Sequence, residues 1–123
     1  MADANDSEPM LIAIVGPCAS GKSTLARALR AAGYQTTTPV QEHSAITHLW
    51  QRSQPDLLIY LDIDFAALLQ RRPKTHGGPA RLATQNQRLT HAYNHYDLYV
   101  DTSDLTPIEV QEKVFAFLEK IND

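Results

Sequence analysis

Between Gly16 and Ser23 the chain reads GPCASGKS, a glycine, four intervening residues and then Gly21-Lys22-Ser23. Glycines at both ends let a backbone wrap closely around a compact group, with its N–H groups turned inward as a nest for an anion. The adjacent lysine adds a flexible point charge, and the hydroxyl after it is a ligand for a hard cation. This is the Walker A pattern, whose chemistry is the cradling of nucleotide phosphates. Lys22 serves the β- and γ-phosphates and Ser23 the Mg²⁺, while Gly16, Pro17, Cys18, Ala19, Ser20 and Gly21 form the cradle. Thr24 closes the stretch and is counted with it, although it has no evident ligand of its own.

Such a loop works only between a strand and a helix. Residues 10 to 15 are apolar on both faces, the pattern of a central parallel strand. After the loop, Leu25, Ala28, Leu29 and Ala32 recur at helical spacing, and Gly33 stands where a left-handed C-terminal residue belongs. The helix therefore aims its partly positive N-terminus at whatever the loop holds. A β-branched stretch predicts a short strand at 35 to 38, ended by Pro39, which delivers Gln41, Glu42 and His43 beside the loop.

Ser44 as N-cap, with Ile46, Leu49 and Trp50, predicts a short helix over 44 to 53. DLLIYLDID is a second buried strand, at 57 to 62, with Asp62 and Asp64 at its carboxyl end, where ligands of open α/β sheets bind. Phe65, Leu68 and Leu69 mark a helix ending in Arg71 and Arg72 before Pro73. PKTHGGPA reads as a loop, and Ala80 to about Tyr96 as a longer, polar helix. LYVDT is a last strand, over 97 to 101, and Thr106-Pro107-Ile108-Glu109 a capping box opening a helix lined by Val110, Val114, Phe117 and Ile121. The order βαβαβααβα implies a four-stranded parallel sheet with right-handed crossovers. Short βα crossovers, together with the resemblance given below, imply that strands 35–38 and 57–62 flank 10–15, with 97–101 outside the latter.

The 123 residues suit one domain, here 10–123, behind an acidic, polar segment 1–9 expected to be a disordered tail. A net charge of -3 and the lack of a basic stripe argue against nucleic acid or an anionic membrane as partner. Cys18 is the sole cysteine, so no intramolecular disulfide forms. With neither a signal-peptide pattern nor a membrane-length apolar run, a cytoplasmic setting is expected.

The chain resembles the P-loop kinases of the nucleoside monophosphate and shikimate kinase type. GPCASGKST, PDLLIYLDID with the helix ending in Arg71-Arg72, the polar helix with Arg88 and Tyr93, and DLYVDTSDLTPIEV carry the likeness and together span nearly all of it. The resemblance implies a P-loop NTPase fold of three α/β/α layers and a kinase using ATP and Mg²⁺ on a small acceptor. It also implies an arginine at Arg71 or Arg72 over the adenine or phosphates, Arg88 clamping transferring oxygens, and Thr102 to Pro107 bordering the adenine. A solvated helix face is the alternative for each arginine. Two departures stand out. The acceptor-binding segment before the LLIYLD strand is short, and the lid is poor in arginine, with Lys74 and Arg81 only. The other functions that fit are a nucleotide-binding module without efficient transfer and a slow NTPase. No Asn-Lys-x-Asp element selects guanine.

Two carboxylates compete for the metal. Asp62 ends an apolar strand in the manner of a Walker B element, but the resemblance puts the 35–38 strand beside the loop strand. On that argument Glu42 would face the Mg²⁺ or act as base toward an acceptor hydroxyl, and it is preferred over Asp62. Asp64 looks like a helix cap. Cys18 reads as a small spacer ahead of an oxidisable thiol. His91 and His95 have a zinc-compatible spacing but no evident third ligand, and His43 could touch an acceptor.

Overall fold

The structure is a computed structural model that describes residues 10–122; the segment expected as a tail, 1–9, lies outside them. Strand β1 is Leu11–Val15, β2 Gln35–Thr37, β3 Leu57–Asp62 and β4 Leu98–Asp101. They form one sheet in the order β2-β1-β3-β4 with every pairing parallel, which is the order expected from the sequence. Helices are α1 Lys22–Ala31, α2 Phe65–Arg71, α3 Gly78–Arg88, α4 Thr90–Tyr93 and α5 Pro107–Asn122.

Alternation along the strands splits the core between two faces. Ile12, Ile14, Ile59, Leu61 and Val100 pack with Leu25 and Leu29 of α1 and Val110, Val114 and Leu118 of α5. Ala13, Val15, Leu58 and Tyr60 point the other way, onto Trp50, Leu89 and Ala92. Both faces of the sheet are covered, as an all-parallel sheet requires, and the arrangement is compatible with three α/β/α layers. Among the described residues no helix is long and apolar enough to cross a membrane.

The local punctuation follows the sequence closely at three places. At the end of α1, Gly33 has φ +96°, while the Tyr34 N–H reaches the Leu29 carbonyl and the Gly33 N–H that of Arg30, both at 3.0 Å. This is a Schellman closure. Asp64 accepts from the Ala67 N–H at 2.8 Å and caps α2. Thr106 and Glu109 exchange reciprocal bonds of 2.8 and 3.2 Å at the start of α5.

Three expectations need correction. No α-helix forms over 44 to 53, where a 3₁₀ turn spans Leu49–Ser53. Ser44 spends its hydroxyl on the nearby Ile46 N–H, at 3.0 Å, rather than on a helix. The buried Gln41 side chain then holds the Ile46 carbonyl and the Trp50 N–H at 2.7 and 2.9 Å, pulling the segment into a tight arc. The stretch 73 to 80 is loop only in part, because Gly77, at φ +91°, admits α3 from Gly78 onward with Pro79 in its first turn. The helix expected from Ala80 to Tyr96 is divided at Leu89. There the Thr90 hydroxyl bonds back to the Gln87 carbonyl at 2.9 Å, and the fully buried Leu89 and Ala92 pack onto the sheet.

The second face also carries a titratable contact. The Trp50 indole N–H donates to His91 Nδ1 at 3.1 Å, and His91 stacks on His95 with ring centroids 4.3 Å apart. Desolvation first, then His95 and His48, hold the His91 pKa below its ordinary value. The unfolded chain therefore binds this proton more readily than the fold does. His91's contribution to stability is full above the ordinary histidine pKa of about 6.5 and is lost as pH falls through the lower folded value. Thermal unfolding of wild type and His91→Asn, whose amide oxygen can still accept from Trp50, checks this. The wild type should lose more melting temperature between pH 7.5 and 5.5 than the variant.

Candidate functional site

The strands' carboxyl ends open into a cleft of about 540 Å³, lined by the Cys18–Leu25 stretch, by Thr38, Glu42 and His43 after β2, and by Arg71, Arg72, Thr102 and Leu105 opposite. The chain's path from β1 into the loop is set by Gly16. A Cβ there would lie 2.1 Å from the Leu61 carbonyl oxygen and 2.8 Å from Ser20 Oγ, so only glycine lets the chain leave β1 this close to β3. Ala19, at φ +66°, and Gly21, at φ +102°, bend the chain back, and α1 begins at Lys22. No side chain caps α1 and no acidic residue sits in its first turn, so its N-terminus faces the cleft with its positive end uncompensated.

Lys22 Nζ donates to the Gly16 and Pro17 carbonyls at 2.7 and 3.0 Å and pairs with Glu42 Oε2 at 3.0 Å. Glu42 arrives on a 3₁₀ turn, Gln41–His43, and is only 4% exposed. Its second oxygen, Oε1, is buried without a hydrogen-bond partner, as is Ser20 Oγ. Buried polar atoms are almost always paired, so two orphans in one cleft mark a place shaped for something that supplies partners. The turn itself is pinned from behind. Gln41 Nε2 also donates to the Arg88 carbonyl at 3.2 Å, and Arg88 Nη1 reaches the Glu42 carbonyl at 3.4 Å.

The opposite wall is tied to the loop by Arg71. Its guanidinium donates to the Ala19 carbonyl at 2.8 Å, to Thr102 Oγ1 at 3.2 Å and to the Thr102 carbonyl. Thr102 Oγ1 lies 3.0 Å from the Ser20 carbonyl and 2.9 Å from that of Asp62, so one hydroxyl bridges loop, β3 and β4. Arg72 is exposed on the cleft wall, and Leu105 with Pro107 gives that wall an apolar patch.

The structure brings Lys22, Ser23, Thr24, Glu42, Arg71 and Arg72 together around the cleft. Arg88 is held at the backbone of Glu42, outside the lining. Asp62 is also outside it. Its Oδ2 accepts from the Tyr99 hydroxyl at 2.6 Å and its Oδ1 from the Ile63 N–H at 2.8 Å, which joins β3 to β4. Burial, and then that bond to Asp62, push the Tyr99 phenol far above its usual range, so it remains a donor. His91 and His95 face Trp50, away from these residues.

Sequence reasoning overlooked Gln85. It is 3% exposed, accepts from the Cys18 N–H at 2.9 Å and donates to Cys18 Sγ at 3.3 Å. The signal was there: Gln85 shares a helical stripe with the buried Leu82 and Leu89, where a polar residue needs a partner. Chemically, the cleft can take an anion at the α1 terminus and Lys22, and a cation or a proton at Glu42.

Compared with known proteins, the chain matches no family model and no curated sequence.

Gly16→Ala meets backbone rather than a side chain that can move, and it also strains φ. Overpacking and strain each cost about 1–3 kcal/mol, so this variant should lose at least about 2 kcal/mol in urea unfolding. Gly21→Ala, which finds nothing within 4 Å, should lose clearly less.

Proposed function

We propose that this protein is a P-loop nucleotide-binding protein, a small kinase that transfers the γ-phosphoryl of Mg-ATP to a small-molecule acceptor. One observation carries the reading. Lys22 and the buried Glu42 form a pair at the uncapped N-terminus of α1, within a cleft whose wall holds two orphaned polar atoms. Phosphoryl transfer asks for little covalent chemistry and much positioning of charge. The backbone N–H groups of the Gly16–Ser23 loop and the α1 terminus suit the phosphates, and Ser20 Oγ is available as a further partner. Lys22 exchanges its loop carbonyls for phosphate oxygens.

Arg71 stiffens the wall and presents positive charge toward the same space. Thr102, Leu105 and Pro107 offer a polar and apolar border suited to a flat base, in line with the resemblance to nucleoside monophosphate and shikimate kinases. The residues fit Mg²⁺ as well. Ser23 and Glu42 supply oxygen ligands, and the ion when bound neutralises charge on the phosphates. Glu42, with a free oxygen, is better placed than Asp62, both of whose oxygens are engaged. It also has the geometry of a base for an acceptor hydroxyl. A cytoplasmic setting, with neither nucleic acid nor membrane as partner, goes with this reading.

A nucleotide-binding module without efficient transfer is the second reading, and a specific observation favours it. Arg88 is committed to the Glu42 backbone, and the 72–77 stretch between α2 and α3 adds only Lys74 beyond Arg72 to clamp transferring oxygens.

Calorimetry with Mg-ATP and Mg-ADP should show binding that Lys22→Ala abolishes; absence of heat from the wild type at millimolar nucleotide overturns both readings. Turnover, followed as ATP hydrolysis until an acceptor is identified, should fall at least about a hundredfold in Glu42→Gln, the lower end of general-base effects. Nucleotide affinity should change little, and Asp62→Asn should cost less turnover. Binding without turnover in the wild type selects the module.

A further inference from the structure

Beyond the nucleotide reading, though sharing Glu42 with it, the geometry points to a binding site for a borderline-soft divalent ion of the zinc class, formed by Cys18 Sγ, His43 Nε2 and the Glu42 carboxylate. The three donor atoms lie within 4.8 Å of one another at the cleft mouth. Cys18 Sγ is 3.6 Å from His43 Nε2, which is 3.8 Å from Glu42 Oε2. Zinc at its usual bond lengths places tetrahedral sulfur and nitrogen ligands roughly 3.6 Å apart, and nitrogen and oxygen about 3.4 Å apart. The two separations at His43 are close to those of a coordination triangle, and the third, between Cys18 Sγ and the Glu42 carboxylate, is within 4.8 Å, so the site closes on an ion by a side-chain adjustment of about an ångström or less.

The donors are also held as metal ligands usually are. Coordinating side chains are oriented by partners behind them. Gln85, buried, grips Cys18 through both its amide atoms and so fixes the position of Sγ. Arg88 and Gln41 fix the turn carrying Glu42 and His43. The independent sign of a ligand is Glu42 itself, nine-tenths buried with Oε1 unpartnered. Oε2, the oxygen near His43, is shared with Lys22, and Oε1 of the same carboxylate has no partner, so the group retains acceptor capacity for a cation.

Donor type selects the ion. A thiolate, an imidazole and one carboxylate suit zinc or cobalt(II) and disfavour Mg²⁺, which prefers oxygen alone. Three protein ligands leave a fourth position open to water. With thiolate and carboxylate, a divalent ion gives a neutral set, which a neighbouring lysine tolerates. Binding releases the thiol proton to solvent.

The test is a cobalt(II) titration of the full chain, followed by zinc competition. The expected result is a single tight site with intense tetrahedral d–d bands and a sulfur-to-cobalt charge-transfer band, both lost when zinc is added. Cys18→Ser should remove the charge-transfer band, His43→Ala should weaken cobalt binding by about a hundredfold or more, and His91→Asn should change neither. That figure takes the upper end of what even outer-shell partners contribute. If Cys18→Ser fails to fold, alkylation of Cys18 in the wild type replaces it. A weak octahedral spectrum without charge transfer, or unchanged affinity in the Cys18 and His43 variants, overturns the assignment. Loss of binding in His91→Asn instead would move the ion to the His91–His95 pair and overturn it equally.

Discussion

A carboxylate almost removed from water, Glu42, constrains the whole cleft. Taking such a charge out of solvent costs several kcal/mol, and removing the partner of a buried pair typically costs about 3–5 kcal/mol. Lys22, at 3.0 Å, is its counter-charge. Lys22 is in turn held by the carbonyls of Gly16 and Pro17, so the glycine loop, the start of α1 and the turn after β2 depend on one electrostatic contact. The backbone must bring Glu42 to that place, which is why Gln41 and Arg88 are spent on the geometry of the turn. The pair is thus a positioning device as much as a source of stability.

The two acidic residues at strand ends illustrate how neighbours decide chemistry. Both β2 and β3 lie beside β1, so adjacency alone does not separate Glu42 from Asp62. Their surroundings do. Tyr99, one strand further out, lowers its hydroxyl onto Asp62, and the Ile63 N–H takes the other oxygen, making that carboxylate a clasp of the β3–β4 seam. Glu42 meets a lysine on one oxygen and nothing on the other. Thr102 and Arg71 perform a comparable joining task across the cleft, tying the loop to the ends of β3 and β4.

Local rules were legible wherever a short stretch settles its own conformation. Gly33, Asp64 and the Thr106–Glu109 box behave as their types and spacings require, because each closes hydrogen bonds within a few residues. The segment after Ser44 failed by the same standard. Its conformation answers to Gln41, whose amide reaches forward to Ile46 and Trp50, and no periodicity in the segment encodes that grip. The 78–93 helix divides at Leu89, where the Thr90 hydroxyl bonds back to the Gln87 carbonyl, although the apolar spacing runs on across the break.

From the sequence by itself came the apolar strands and the loop at the end of the first one, since hydrophobic periodicity and glycine punctuation are properties of nearby residues; that the strands run parallel followed from their alternation with helices, and their order needed the family resemblance as well. It also placed Glu42 beside that loop. What only the tertiary structure decided is which side chains meet. Gln85 is 67 positions from Cys18 and Tyr99 is 37 from Asp62, and each pair is joined by a hydrogen bond whose geometry is set by the packing of separate elements. Burial of a charge, an orphaned oxygen and a triangle of donor atoms are facts about distances in space, and a chain's order does not contain them until the sheet brings its loops together.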